Sequence, residues 1–198
     1  MTSLSLVICT RNRAHLLVRA LAAVEAAAKP PGFELVVVDN GSGDATGAVI
    51  GAHAARAGQP VLTVAEPRVG LSRARNAGVA AASGEVVAFT DDDCLIRPDH
   101  LTGVAAAFAE LPIAFCGGRV VAADPADSPV ALNLDPTFRW LPPGRPLRPG
   151  VVQGANLAVR ADALRAAAVG PGPGPFDEAL GAGAGARCED VELCARLL

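Results

Sequence analysis

Short apolar runs alternate with longer segments of helical character through the first half of the chain. The runs cover 3–9, 33–38, 61–65 and 86–90. The first is continuous rather than alternating in polarity, which is typical of a strand buried on both faces. Segments that favour helices lie between the runs, over about 14–28, 44–57 and 70–82. This order predicts an α/β fold with a mostly parallel central sheet and helices on both of its faces.

The pattern is less regular after residue 93. We expect strands near 113–121 and over 151–160, and helices over 98–111, over 161–168 and from Glu189 onward. The segment 122–150 is rich in proline and predicts a loop or flap, while glycine and proline dominate 170–185 and predict a mobile segment. The last helix reaches Leu198 without a stop signal, so we expect the natural protein to continue beyond it.

Composition narrows the class of protein. The 198 residues are 51% hydrophobic and 19% charged, which suits one domain with a substantial core and argues against disorder. The net charge is −3 and the basic residues are not clustered, so nucleic acid is not an expected partner. The five cysteines form no CxxC pair, and no run of about 18 apolar residues is present. These features predict a soluble protein in a reducing cytoplasm.

Three consecutive aspartates, Asp91, Asp92 and Asp93, directly follow the fourth apolar run. Open α/β sheets bind their ligands at the carboxyl ends of the strands. Carboxylates this close repel one another unless a positive charge lies among them. A divalent cation such as Mg²⁺ or Mn²⁺, which favours carboxylate and phosphate oxygens together, would supply that charge. The alternative is an acidic turn that caps the following helix.

Three further polar turns follow predicted strands and should converge on the same edge of the sheet: 10–13, 39–42 and 68–76. Each turn alone is ordinary, and the coincidence of the four favours a functional site. With these turns in place, the chain resembles the family-2 glycosyltransferases, which have the A-type (GT-A) nucleotide-sugar-binding fold. The matching pieces occur in the family's order at 7–12, 36–42, 70–78, 89–93, 154–158 and 189–193.

The resemblance implies an inverting transfer of a sugar from a nucleotide-diphosphate donor, by default a UDP-sugar, to an acceptor hydroxyl. Mn²⁺ or Mg²⁺ would lie on the diphosphate. It implies that Thr10 and Asp39 contact the base and ribose, and that Arg75 lies near the base or diphosphate. Asp91 would hold the ribose or a metal-bound water, and Asp93 would bind the metal directly. Further donor or substrate contacts are implied at Arg11, Asn12, Asp92, Gly154, Asn156 and Glu189.

The resemblance also implies that Asp190 is the general base, a carboxylate within hydrogen-bond reach of the acceptor hydroxyl. Without the resemblance, Glu189 and Asp190 would be acidic residues that favour a helix N-terminus. Two other functions stay open: a non-catalytic nucleotide-sugar-binding domain, and a phosphatase with an aspartate nucleophile.

The expected organisation is a single glycosyltransferase domain over 1–198, with a nucleotide-binding half over 1–95 and an acceptor-side half over 96–198. The acceptor stays open among saccharides, lipid-linked molecules and small molecules. Peripheral contact with a membrane through the expected continuation, and the oligomeric state, stay open as well.

Overall fold

The computed structural model describes residues 2–124, 126, 132–168, 174–184 and 186–198. Within these ranges one six-stranded sheet forms the centre of the molecule, in the order β3-β2-β1-β4-β6-β5. Its strands are β1 Leu4–Thr10, β2 Phe33–Asp39, β3 Val61–Ala65, β4 Val86–Asp91, β5 Phe115–Gly117 and β6 Leu157–Arg160. The helices are α1 Ala14–Ala26, α2 Thr46–Ala54, α3 Leu71–Ala81, α4 His100–Glu110, α5 Ala161–Ala166 and α6 Glu189–Leu197.

The first four strands are parallel, whereas β6 runs antiparallel to both β4 and β5. Thr10 pairs with Asp39, and Cys9 pairs with Asp91, so β1, β2 and β4 end at nearly the same level. The turns after these strands therefore leave the sheet side by side. The predicted mostly parallel α/β sheet is confirmed.

Helices cover both faces of the sheet because alternate strand residues feed two separate cores. One core joins Leu6 and Ile8 of β1 to α1, α2 and α4. The other joins Val7 to α3, α5 and α6. Gly78 shows how closely α3 packs, since a Cβ there would lie 2.5 Å from Cγ1 of Val7. This glycine serves helix–sheet packing, as its position in a buried helix face requires.

Two strands are shorter than predicted. The strand expected over 151–160 is limited to β6, because residues Gly154–Asn156 form a 3₁₀ turn in which the Asn156 N–H donates to the Gln153 carbonyl. The strand expected near 113–121 is limited to β5, whose partner along the described chain is the four-residue β6.

The predicted mobile segment 170–185 lies partly outside the described residues, at 170–173 and 185. Its described part packs over α3, where the Asn76 side chain exchanges two hydrogen bonds with the backbone of Phe176. The expected loop over 122–150 is described except at 125 and 127–131, and Asn133 in its described part forms an isolated antiparallel bridge with Val120 before it. None of the described helices combines the length and the apolar character needed to cross a bilayer.

Candidate functional site

A cleft of about 410 Å³ opens at the carboxyl edge of the parallel strands. The ends of β1 and β4 form its floor, and α3 together with residues 182–183 forms one wall. Among the predicted site residues, its lining includes Thr10, Arg11, Asp91, Asp92 and Asp93. Asn40 of the turn 39–42 and Val69 of the turn 68–76 also line it. The sheet thus brings together residues of all four turns predicted to converge, within a cavity of ordinary small-molecule size.

A larger hollow of about 870 Å³ lies along β5, beneath residues 133–152. Exposed Phe138 and Trp140 contact each other edge to face at its rim, with ring centroids 5.3 Å apart. The acidic turn after β4 does not line this hollow. We therefore place the candidate chemistry in the smaller cleft, where the titratable groups converge.

The three aspartates have different surroundings. Asp92 is buried, and its carboxylate accepts hydrogen bonds from Thr10 Oγ1 at 2.6 Å and from Arg13 Nη1 at 2.9 Å. The side chains of Asp91 and Asp93 are 41% and 44% exposed, respectively. The outer two carboxylates are therefore available to a ligand in the cleft, while Asp92 fixes the turn against β1.

Asp91 and Asp93 are suited to hold a cation. Their carboxylate oxygens and the Cys94 thiol lie within 4.8 Å of one another. Burial first, and then the charges of Asp91 and Asp93, raise the pKa of Cys94 to about 12, so the thiol stays protonated and is a poor metal ligand. The two carboxylates remain as the donor set, and oxygen donors fit Mg²⁺ or Mn²⁺.

The charge balance around Asp91 also favours a cation. Partial burial at the end of β4 raises the pKa of Asp91 above its ordinary value, because it disfavours the charged carboxylate. Arg75 opposes this shift, and the charges of Asp93, Asp92 and Glu189 add to it. A divalent cation in the cleft would lower the cost of keeping these carboxylates ionised together.

The turns after β1 and β2 are fastened to each other. Asn12 adopts a positive φ of 53°, donates its N–H to Ser42 Oγ at 3.0 Å and accepts from the Gly43 N–H at 2.7 Å. Asp39 accepts from the Ser42 N–H at 2.9 Å. Arg11 is exposed at the mouth of the cleft. The contacts of Asn12 and Asp39 shape the turns, and their implied roles toward a nucleotide stay predictions.

Asn40 is a site-forming residue that sequence reasoning missed. Its buried amide donates to the carbonyls of Glu66 and Arg68 and accepts from the Gly70 N–H, all at 2.9 Å. It thereby holds the turn that leads into α3. Its place directly after β2, before Gly41, is the local signal that could have indicated it.

Arg75 follows the cleft-lining Ala74 on α3 and is almost fully buried. Its Nη1 donates to Glu189 Oε1 at 2.5 Å, and its Nη2 lies 3.6 Å from Asp91 Oδ1. Its Cζ is 5.5 Å from the centroid of the Phe176 ring, within the range of a cation–π contact. Arg75 therefore links the acidic turn after β4 to the start of α6, where Glu189 lies 114 positions after Arg75 in the chain.

Asp190 lies in the first turn of α6, beside Glu189. Its Oδ2 accepts from the Gly154 N–H at 2.7 Å. Gly154 also packs on the Arg75 guanidinium, where a Cβ would lie within 3.0 Å of three guanidinium atoms. Arg75 thus contacts Asp91, Glu189 and Gly154, and Asp190 joins this group through the Gly154 N–H.

Asn156 has different neighbours. Its Nδ2 donates to the Arg119 carbonyl at 2.9 Å, and its carbonyl accepts from the Gly118 N–H at 3.1 Å. These contacts fasten the 3₁₀ turn to the chain that leaves β5. The structure does not place the Asn156 side chain against the acidic cluster.

Two solved structures share the fold of this chain. The mannosyltransferase PcManGT from Pyrobaculum calidifontis, solved with GDP-Man and Mn²⁺, superposes with a TM-score of 0.72 at 19% identity, covering 99% of this chain and 52% of that one. The S. aureus TarS 1–349 structure with UDP superposes with a TM-score of 0.73 at 20% identity, covering 96% of this chain and 53% of that one. Likeness at this identity shows the fold, which is the GT-A class of glycosyltransferase folds.

Sequence relationship gives the family. The model of glycosyl transferase family 2 matches residues 5–164. The chain belongs to this family, as its motifs predicted. A curated relative, the pre-mycofactocin glycosyltransferase of Mycobacterium tuberculosis, is 29% identical over 176 residues, which cover 84% of this chain and 34% of the relative. The chain spans about a third of the length of the first curated relatives it matches.

Proposed function

We propose that this chain carries the donor and base sites of an inverting glycosyltransferase that uses Mn²⁺ or Mg²⁺. The observation that carries the proposal is the link through Arg75, which holds Asp91 of the cleft and the start of α6 against one guanidinium. This link supports the proposal that a carboxylate pair that would hold the metal and a separate carboxylate that would act as the base belong to one site.

The donor end is proposed to lie in the cleft between β1, β4 and α3. Asp91 and Asp93 would hold the cation, and the turns after β1 and β2 would hold the nucleoside. When bound, the cation would neutralise charge on the departing nucleoside diphosphate. Structures with similar folds contain GDP-Man with Mn²⁺ and UDP. We take a UDP-sugar as the default donor and test GDP-sugars beside it.

The acceptor end is proposed to lie at Asp190. This carboxylate would take the proton of the acceptor hydroxyl, while the Gly154 N–H keeps it oriented at 2.7 Å. Attack from the side opposite the diphosphate would invert the anomeric centre. Saccharides, lipid-linked molecules and small molecules all supply such a hydroxyl.

Nucleotide binding tests the donor end. UDP and GDP are added with Mn²⁺ and with EDTA, and the midpoint of thermal unfolding is measured. We expect at least one nucleotide to raise the midpoint only when Mn²⁺ is present. Asp93→Asn should abolish this rise, whereas Asp99→Asn, at an exposed position outside the cleft, should preserve it. A rise that is equal with EDTA would contradict the metal role.

Turnover tests the acceptor end. Release of nucleoside diphosphate is followed with a panel of nucleotide sugars and simple saccharide acceptors. Asp190→Asn keeps an oxygen able to accept from Gly154, so nucleotide binding should be unchanged while turnover falls about 10²- to 10⁴-fold. Asp162→Asn, on the exposed first turn of α5, is the matched control. Equal turnover in both variants would refute Asp190 as the base. Nucleotide binding without turnover in the parent chain would favour the non-catalytic binding domain.

A further inference from the structure

The Arg13 guanidinium lies on the acidic turn at the place where a cation is expected. Its Nη1 is 2.9 Å from Asp92 Oδ1 and 2.9 Å from Asp93 Oδ2. One nitrogen thus serves two carboxylates, of which Asp93 is the exposed one. Arg13 lies between β1 and α1, directly before α1. Because β1 pairs with β4 in the sheet, the Arg13 side chain reaches the end of β4.

The side chain of Arg13 can move while its backbone stays in place. The side chain is 47% exposed, which leaves space for the guanidinium to swing into the cleft. The backbone N–H donates to Thr46 Oγ1 at 3.2 Å, and the carbonyl accepts from the N–H groups of Leu16 and Leu17. Displacement of the guanidinium therefore leaves the start of α1 intact.

A guanidinium and a divalent cation compete for Asp93. An oxygen that accepts a charged hydrogen bond has less electron density to give to a metal, and two positive charges on one carboxylate repel each other. Asp92 does not depend on Arg13 in the same way, because the Thr10 hydroxyl donates to its other oxygen. Release of Arg13 therefore leaves Asp92 with a partner, and Asp93 becomes available to the cation.

We propose that Arg13 is a built-in counter-ion of the acidic turn, which competes with the divalent cation for Asp93 and moves to the donor's diphosphate when cation and donor bind together. Guanidinium groups pair with phosphate through two parallel hydrogen bonds, so the diphosphate is a suitable new partner. The inference rests on the proposed function of the cleft. It makes Arg13 a residue that keeps metal binding weak until the donor arrives.

The test compares Mn²⁺ binding in the free protein with Mn²⁺ binding in the presence of UDP or GDP. Free Mn²⁺ is measured by its electron paramagnetic resonance signal, which needs no turnover. Arg13→Gln should bind Mn²⁺ about tenfold more tightly than the parent without nucleotide, and should bind the nucleotide about tenfold more weakly with Mn²⁺ saturating. Arg19→Gln makes the same change of charge at an exposed position of α1 and should match the parent in both measurements.

The outcomes separate this inference from the proposed function. Unchanged or weaker Mn²⁺ binding in Arg13→Gln, with binding lost in Asp93→Asn, would overturn the role of Arg13 and leave the metal site standing. Mn²⁺ binding that is unaffected by Asp93→Asn would overturn both. Unfolding midpoints of the variants, measured without metal, establish that each is folded before its affinities are compared.

Discussion

Gly154→Ala should damage both stability and turnover, although it adds a single methyl group. A Cβ at this position would lie 2.8 Å from Cζ and 2.9 Å from Nη1 of Arg75. Side-chain carbons do not approach other heavy atoms below about 3.0 Å without a shift of one partner. The backbone conformation at Gly154 is not left-handed, so the lack of space is the whole obstacle.

Neither the Arg75 guanidinium nor the backbone of residue 154 can move away without losing a contact. Arg75 is 4% exposed and is fixed by Glu189 at 2.5 Å and by the ring of Phe176. If Arg75 moves, a buried ion pair is broken. If the backbone of Gly154 moves instead, the hydrogen bond from its N–H to Asp190 is lost.

Movement of Arg75 would mainly reduce stability, whereas movement of the backbone at residue 154 would mainly reduce turnover. Breaking a buried ion pair by displacing one partner costs about 3–5 kcal/mol, and part of this is recovered if Arg75 finds water or Asp91. We therefore expect the free energy of unfolding to fall by about 2–4 kcal/mol. For a chain of this length, that corresponds to a drop of roughly 4–16 °C in the unfolding midpoint. A backbone shift would cost less stability and would reduce turnover by misplacing Asp190.

The assay combines urea unfolding with release of nucleoside diphosphate. Gly103→Ala is the matched control, because a Cβ there meets nothing within 4 Å and the residue lies inside α4. It should stabilise the chain by up to about 1 kcal/mol, since alanine favours helices more than glycine does. Lysine has a slimmer head group than arginine. The double variant Gly154→Ala with Arg75→Lys should therefore lose less free energy of unfolding than the sum of the losses in the two single variants. Parent-like stability and turnover in Gly154→Ala would refute the described contact between Gly154 and Arg75.

Three further outcomes follow from other contacts. Burial acts to raise the pKa of Glu34, but hydrogen bonds from Ser5 and Ser83 outweigh it and hold the pKa below its ordinary value. Glu34→Gln should therefore lower the free energy of unfolding by about 1–2 kcal/mol at pH 7, and urea titrations should show this difference vanishing as the pH falls through the folded-state pKa. Asn76→Ala removes two buried hydrogen bonds to Phe176 and should lower the free energy of unfolding by about 1–3 kcal/mol, measured by the same urea titrations. Removal of divalent cations with EDTA should abolish turnover, and added Mn²⁺ or Mg²⁺ should restore it.

The sequence predicted the parallel half of the sheet well, because continuous apolar runs such as 33–38 have few alternatives to a buried strand. It also placed Asp91 and Asp93 at the cleft, since the end of a run determines where the next polar group emerges. The lengths of β5 and β6 were overestimated. The extent of each strand depends on antiparallel pairing with strands that are distant in the sequence. A local apolar pattern carries no information about that pairing.

The contacts that organise the site could not be predicted from the sequence either, because they also join residues that are distant along the chain. Arg13 reaches carboxylates 79 and 80 positions away, and Asn40 holds the turn between β3 and α3. Arginine and asparagine at these positions look like ordinary turn residues until the fold brings their partners close. The resemblance to family 2 supplied an expected role for Arg75, but not its burial or its pairing with Glu189.

Polar contacts rather than apolar packing fix the turns around the cleft, and this has a consequence for binding. Asn12 joins two turns, Asn40 holds a third, and Arg75 joins the acidic turn to α6. Turns fixed in this way are already ordered before a ligand arrives, so little ordering cost is added on binding. The exposed Arg13 side chain can respond to the ligand, whereas the buried Arg75 cannot without breaking its ion pair. A frame fixed by buried contacts, with the exposed Arg13 guanidinium at its edge, would suit the proposed exchange of a highly charged donor for a charged product.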